Sequence, residues 1–128
     1  MSSLELGRIG EQLARAYLEG EGYRLVSANY RSPYGEIDII AEDTSHSEPT
    51  LVFVEVKTRR TRRFGSPINA VTPRKQQNLW RTAQYWLSHH LIGATEPACR
   101  FDIIEVFVGS DGLSKVVHHQ AVGIEGEE

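Results

Sequence analysis

Cysteine is nearly absent: Cys99 is the only one in 128 residues. No intrachain disulfide, Cys-x-x-Cys redox pair or zinc-ribbon spacing can be built from a single thiol. That fits a reducing cytoplasm and leaves Cys99 an interior packing role. Long apolar runs are lacking as well. No stretch approaches the roughly 18 residues that cross a bilayer, and the start, Met1 to Arg8, has neither the basic beginning nor the apolar core of an export signal. A soluble, cytoplasmic protein without membrane contact is expected. Nor is there an excess of positive charge. A net charge of -3 excludes a general basic coat, so any nucleic-acid contact has to be local.

What is present has the balance of one compact domain, with 40% hydrophobic and 24% charged residues. A chain of this length buries roughly two-thirds of its unfolded surface, enough for one sheet under helices without a covalent staple. We expect one domain over residues 1–122 and a flexible acidic tail over 123–128. Internal repeats, low-complexity tracts and linkers are absent.

Helical spacing runs from Leu4 to Gly20, through Leu6, Ile9, Leu13, Ala16 and Tyr17, and Gly20 and Gly22 stop it. Tyr23 to Asn29 reads as a strand, Arg31 to Gly35 as a turn, and Glu36 to Glu42 as a second strand. After a polar loop, Leu51 to Lys57 is the strongest strand, with Val52, Val54 and Val56 on one face and Phe53, Glu55 and Lys57 on the other. Thr58 to Pro67 reads as a basic loop in which Arg59, Arg60, Arg62 and Arg63 crowd into five positions. Thr72 as N-cap and Pro73 at the first position then open a long helix, with Leu79, Ala83, Trp86, Leu87 and His90 on one face. Arg100 to Val108 and Ser114 to His119 complete the strands. The order is α-β-β-β-α-β-β.

Two carboxylates stand where a sheet core prefers apolar groups. If the second and third strands form a hairpin closed symmetrically about the 43–50 loop, Asp38 faces Glu55. Side chains so opposed have Cβ atoms roughly 5 Å apart, and like charges there repel. A hard divalent cation satisfies that demand, because Mg2+ or Mn2+ takes oxygen ligands from one or two carboxylates together with water and phosphate. Lys57, two residues beyond Glu55, projects from the same face toward the same place.

Gly35-Glu36-Ile37-Asp38 followed by Glu55-Val56-Lys57 resembles the PD-(D/E)xK pattern of restriction-endonuclease-like nucleases, with Ile37 where the literal motif has proline. Gly7-Arg8-Ile9-Gly10-Glu11, Phe64-Gly65-Ser66-Pro67, Thr72-Pro73-Arg74-Lys75-Gln76 and Arg100-Phe101-Asp102 extend the likeness over nearly the whole chain, to the YraN-like family of small bacterial proteins. That family is similar to archaeal-type Holliday junction resolvases. The resemblance implies a restriction-endonuclease-like α/β fold, a central mixed sheet flanked by helices. It also implies Mg2+- or Mn2+-dependent hydrolysis of DNA phosphodiesters, leaving a 5′-phosphate and a 3′-hydroxyl. Asp38 and Glu55 would be metal ligands, with the Val56 carbonyl as a further one. Lys57 would be the catalytic lysine, and Glu11 would complete the site from the first helix. Gly7 and Gly10 beside Glu11 each cost roughly 1 kcal/mol in a helix, which a close approach of backbone or phosphate would explain. A lysine between carboxylates is favoured in its charged form.

Phosphate contacts are expected from Arg59, Arg60, Arg62, Arg63, Lys75 and Gln76, at the basic loop and the second helix's N-terminus. Gln76 and Trp80 keep the spacing of a Gln-x-x-x-Tyr element. Plainer roles fall to other residues: Glu36 at an exposed edge, Trp80, Tyr85 and Trp86 as core, Asp102 as a structural hydrogen-bonding group, and His46, His89, His90, His118 and His119 on the surface. Resolving a junction would require two sites, hence a homodimer. The alternative to a nuclease is a non-catalytic nucleic-acid-binding or adaptor protein that keeps the fold.

Overall fold

A computed structural model describes residues 2–60, 71–91 and 97–123. In it the described residues run α1 (Ser3–Gly20), β1 (Arg24–Ser32), β2 (Gly35–Asp43), β3 (Thr50–Arg59), α2 (Pro73–His90), β4 (Ala98–Val108) and β5 (Ser114–His119). This is the order read from the sequence. The strands form one five-stranded mixed sheet in the order β1-β2-β3-β4-β5. Only β3 and β4 are parallel, as a crossover through α2 requires. The architecture is consistent with the restriction-endonuclease-like α/β fold. No helix is long and apolar enough to cross a membrane among the described residues.

Each helix starts on a side chain that satisfies otherwise orphaned N–H groups. Ser2 Oγ accepts from the Glu5 N–H at 3.1 Å and Glu5 Oε1 accepts from the Ser2 N–H at 3.0 Å, a reciprocal capping box. Thr72 Oγ1 accepts from the Lys75 N–H at 3.2 Å, with Pro73 just inside the start of α2. α1 turns Gly10, Ala14 and Leu18 inward at four-residue steps.

The helices cover opposite faces of the sheet. Ala14 and Leu18 of α1 pack with Ile39, Ala41, Val52, Val54, Ile104 and Val106. Leu79, Ala83, Trp86 and Leu87 of α2 pack with Ile37, Ile40, Leu51, Phe53 and Ile103. Burying one such side chain stabilises the fold by roughly 1.5–3 kcal/mol. The alternation in β3 therefore follows the faces expected for Val52, Val54 and Phe53.

Some boundaries and environments differ from expectation. β1 extends to Ser32 and β3 to Arg59, so Thr58 and Arg59 are strand, not loop: the parallel ladder to β4 continues through Arg59↔Phe107 and fixes them. Cys99 is exposed at the start of β4, not interior. His118 is not on the surface either. Its side chain is only 5% exposed, because buried Asp102 needs it as a partner. Arg62, Arg63, the 64–67 segment and the tail from residue 124 lie outside the described residues.

Candidate active site

The β2–β3 hairpin closes with the symmetric register expected about its loop, from Asp43↔Thr50 to Ile39↔Val54. The ladder ends there, one step short of Asp38 and Glu55. Beyond it a side chain takes over from the backbone: Asp38 Oδ2 accepts from the Val56 N–H at 2.8 Å. Inside–outside alternation in β2 also breaks at this point, since Ile37 belongs to the α2-side core while Ile39 belongs to the α1-side core. Across the break in β1, Asn29 has a positive φ of 52°. Asp38 thus sits where two strands part, with its carboxylate fixed by backbone.

Around it opens a cleft of about 380 Å³, to which Glu11 comes from α1, Asp38 from β2, Glu55 and Lys57 from β3, and Lys75 from α2. Gly10 explains how α1 comes so near. A Cβ added there would lie 1.8 Å from Thr58 Oγ1 and 2.8 Å from Thr58 Cβ, so the glycine exists for contact with β3. Gly7 faces open space within the cleft.

Burial, the charges of Glu55, Glu11 and Glu36, and only partial relief from the Val56 N–H push the Asp38 carboxyl up to about 7. Glu55 is 8% exposed, and both Lys57 Nζ, at 3.2 Å, and Lys75 Nζ, at 2.9 Å, rest on its Oε2. At Lys57 the pull of the carboxylate does not prevail as expected. Burial lowers its pKa, and the Lys75 charge beside it adds to that against the pull of Glu55. For Lys75 burial acts downward, but the bond to Glu55 and its charge, with Lys57 and the Asp38 charge, together raise it. Among the described residues no group of three or more His, Cys, Asp or Glu side chains stands ready to hold a metal ion. The lysines already engage one of the carboxylates.

The residues expected at phosphate divide. Arg60 is exposed. Arg59 has a side chain only 9% exposed, and its Nε donates to Glu105 Oε2 at 2.9 Å. Gln76 is buried, and its Nε2 donates to the Val71 carbonyl at 2.9 Å. Trp80 is half-buried, and Trp86 is core. Glu36 is exposed and pairs with Arg31 at 3.3 Å.

A second polar centre surrounds Asp102, and its partners were missed by sequence reading. Asp102, fully buried, accepts from Arg100 Nε and Nη2 at 2.9 Å each and from the Ala121 N–H at 3.0 Å, with His118 Nε2 at 2.7 Å. His118 Nδ1 lies 3.0 Å from the Tyr17 hydroxyl, and Arg100 continues to Asp43 and Tyr23. Burial would raise the Asp102 pKa, but His118, Arg100 and the Ala121 N–H together lower it. The network ties α1, the α1–β1 connection at Tyr23, β2, β4 and β5 together, which is the structural hydrogen-bonding role expected for Asp102. The only sequence signal for it was a charged residue in an apolar strand.

A mixed sheet between two helices, with carboxylates and lysines gathered where β2 and β3 diverge, defines a small α/β protein of restriction-endonuclease-like architecture. The chain belongs to the uncharacterised protein family UPF0102, which matches residues 10–106. It is similar to a UPF0102 protein of Symbiobacterium thermophilum, 48% identical over 110 residues covering 86% of this chain and 88% of that one. It is likewise similar to UPF0102 proteins of Chlorobium chlorochromatii, 49% identical over 107 residues (84% and 78% of the two chains), and Syntrophomonas wolfei, 44% identical over 114 residues (89% and 93%).

Proposed function

We propose that the protein is a metal-dependent nuclease that hydrolyses DNA phosphodiester bonds. One observation carries the reading: Asp38 shares a cleft with Glu55 and Glu11 beside a lysine pair, and burial, with the charge of those carboxylates, pushes its carboxyl up to about 7. Nothing in folding requires such a cluster, and proton affinity raised this way is characteristic of functional carboxylates.

The donor chemistry suits Mg2+ or Mn2+: all are oxygens, and the carboxylate charge that, after burial, raises Asp38 is what a hard cation relieves. Asp38 and Glu55 would hold the ion, with Glu11 and the Val56 carbonyl completing the set. When bound, the ion supplies Lewis acidity at a phosphoryl oxygen and a more acidic water. The chain's own groups do the rest. The Val56 N–H fixes the Asp38 carboxylate. Lys57 is placed to orient the attacking water or stabilise charge developing on phosphate. Lys75 and Arg60, with Arg62 and Arg63 beyond β3, would meet neighbouring phosphates.

The engagement of Glu55 by two lysines favours a second reading, a nucleic-acid-binding protein that keeps the fold without cleaving. A panel of labelled branched, single-stranded and duplex DNA with Mn2+ separates the two. Cleavage abolished by Asp38→Ala and by Lys57→Ala supports the nuclease. Cleavage indifferent to both removes this mechanism. Salt-sensitive binding without cleavage, kept by both variants and lost on replacing Arg60, Arg62 and Arg63, supports the binding protein.

A further inference from the structure

Glu55 carries one cation more than its charge requires. Both ammonium groups approach the same oxygen, Oε2, at 3.2 Å and 2.9 Å. The two lysines are not held alike. Lys57 is part of β3 and its side chain is 19% exposed, whereas Lys75 lies in the first turn of α2 with 47% exposure. Lys75 is therefore the partner free to leave, on a flexible four-carbon stem. That first turn has no acidic residue, and its N–H groups and dipole draw anions. A phosphate arriving there offers the Lys75 ammonium another partner. Asp38, by contrast, is tied to the Val56 N–H and feels the Lys75 charge without an ion pair to either lysine.

We propose that Lys75 is a substrate-gated counter-ion. Without nucleic acid it holds Glu55 against the divalent cation, and a bound phosphate draws it away so that Glu55 can turn to the metal. The gate rests on the metal-site reading above and adds regulation to it. Metal and nucleic acid then bind cooperatively, and by linkage each tightens the other by the same factor.

Mn2+ binding, read from the electron paramagnetic resonance signal of the free ion, tests this without reference to catalysis. The full chain is compared with Lys75→Gln, Lys75→Met, Lys75→Arg and Arg74→Gln. The last removes a positive charge from the adjacent exposed position. Without DNA, both neutral Lys75 variants should bind Mn2+ about tenfold more tightly, a typical size for such coupling. Lys75→Arg and Arg74→Gln should stay near the parent. Branched DNA with hydrolysis-resistant phosphorothioate linkages should raise the parent's Mn2+ affinity distinctly more than that of Lys75→Gln. Equal effects of Lys75→Gln and Arg74→Gln, or an equal DNA effect in parent and Lys75→Gln, overturn the gate and leave the metal site standing. Failure of every form to bind Mn2+ removes the metal site and the gate with it.

Discussion

A half-buried aspartate whose carboxyl is pushed up from 3.8 to about 7 leaves a signature in stability. Between those two values the folded protein keeps a proton that the unfolded chain has lost. Stability from this residue is therefore complete below about pH 4, falls as pH rises toward 7, and levels off above it. The loss is on the order of a few kcal/mol. Asp38→Asn should remove this slope, so that the variant is more stable than the parent at pH 8 and closer to it at pH 4. Urea midpoints across that range, in metal-free buffer, check it, and parallel parent and variant curves would contradict it. At the other polar centre, Asp102→Ala would take the shared carboxylate from Arg100 and His118, leaving them Asp43, Tyr23 and Tyr17. Removing one partner of a buried pair costs about 3–5 kcal/mol, and thermal denaturation should show a loss of that order.

At the scale of elements, the position of α1 depends on Gly10 against Thr58. Gly10→Ala should destabilise the protein by about 1–3 kcal/mol, the usual cost of overpacking. It should also weaken Mn2+ binding, because Glu11 is the next residue on the displaced helix. Thr58→Ala should restore only part of the stability, since its Cβ would still lie 2.8 Å from the added methyl. Full restoration by Thr58→Ala would place the strain elsewhere. The β2–β3 hairpin shows how far local pattern reaches. Its register follows from a symmetric loop, and its faces follow from strict alternation in Val52, Phe53 and Val54. The break at Asp38 has no such signature, because it depends on Asn29 in a third strand and on a side chain replacing a ladder bond.

Over the whole molecule, element order, the β2–β3 register and the Thr72 cap of α2 were legible because each is written in neighbouring residues. Glu11, Asp38, Glu55 and Lys57 could be named as a group from motif and resemblance. What the sequence concealed were contacts between residues distant along it. Lys75 reads as a helix-start phosphate contact until α2 is packed beside β3, when Glu55 becomes its nearest partner. Arg59 reads as part of a basic loop until the parallel ladder sets Glu105 beside it. His118 belongs to an apparent surface pair until Asp102 and Tyr17 enclose it. Each reversal arises because burying one charge makes its partner's burial favourable, and periodicity carries no record of that pairing.

The claim on which the rest stands is that opposed carboxylates share a divalent cation where β2 and β3 separate. Anomalous diffraction from crystals grown with Mn2+ tests it most directly. The account predicts a single strong peak at ligand distance, roughly 2.1–2.3 Å, from oxygens of both Asp38 and Glu55, absent in Asp38→Ala. A clean map at that position at saturating Mn2+, with Lys57 and Lys75 still on Glu55, would contradict it.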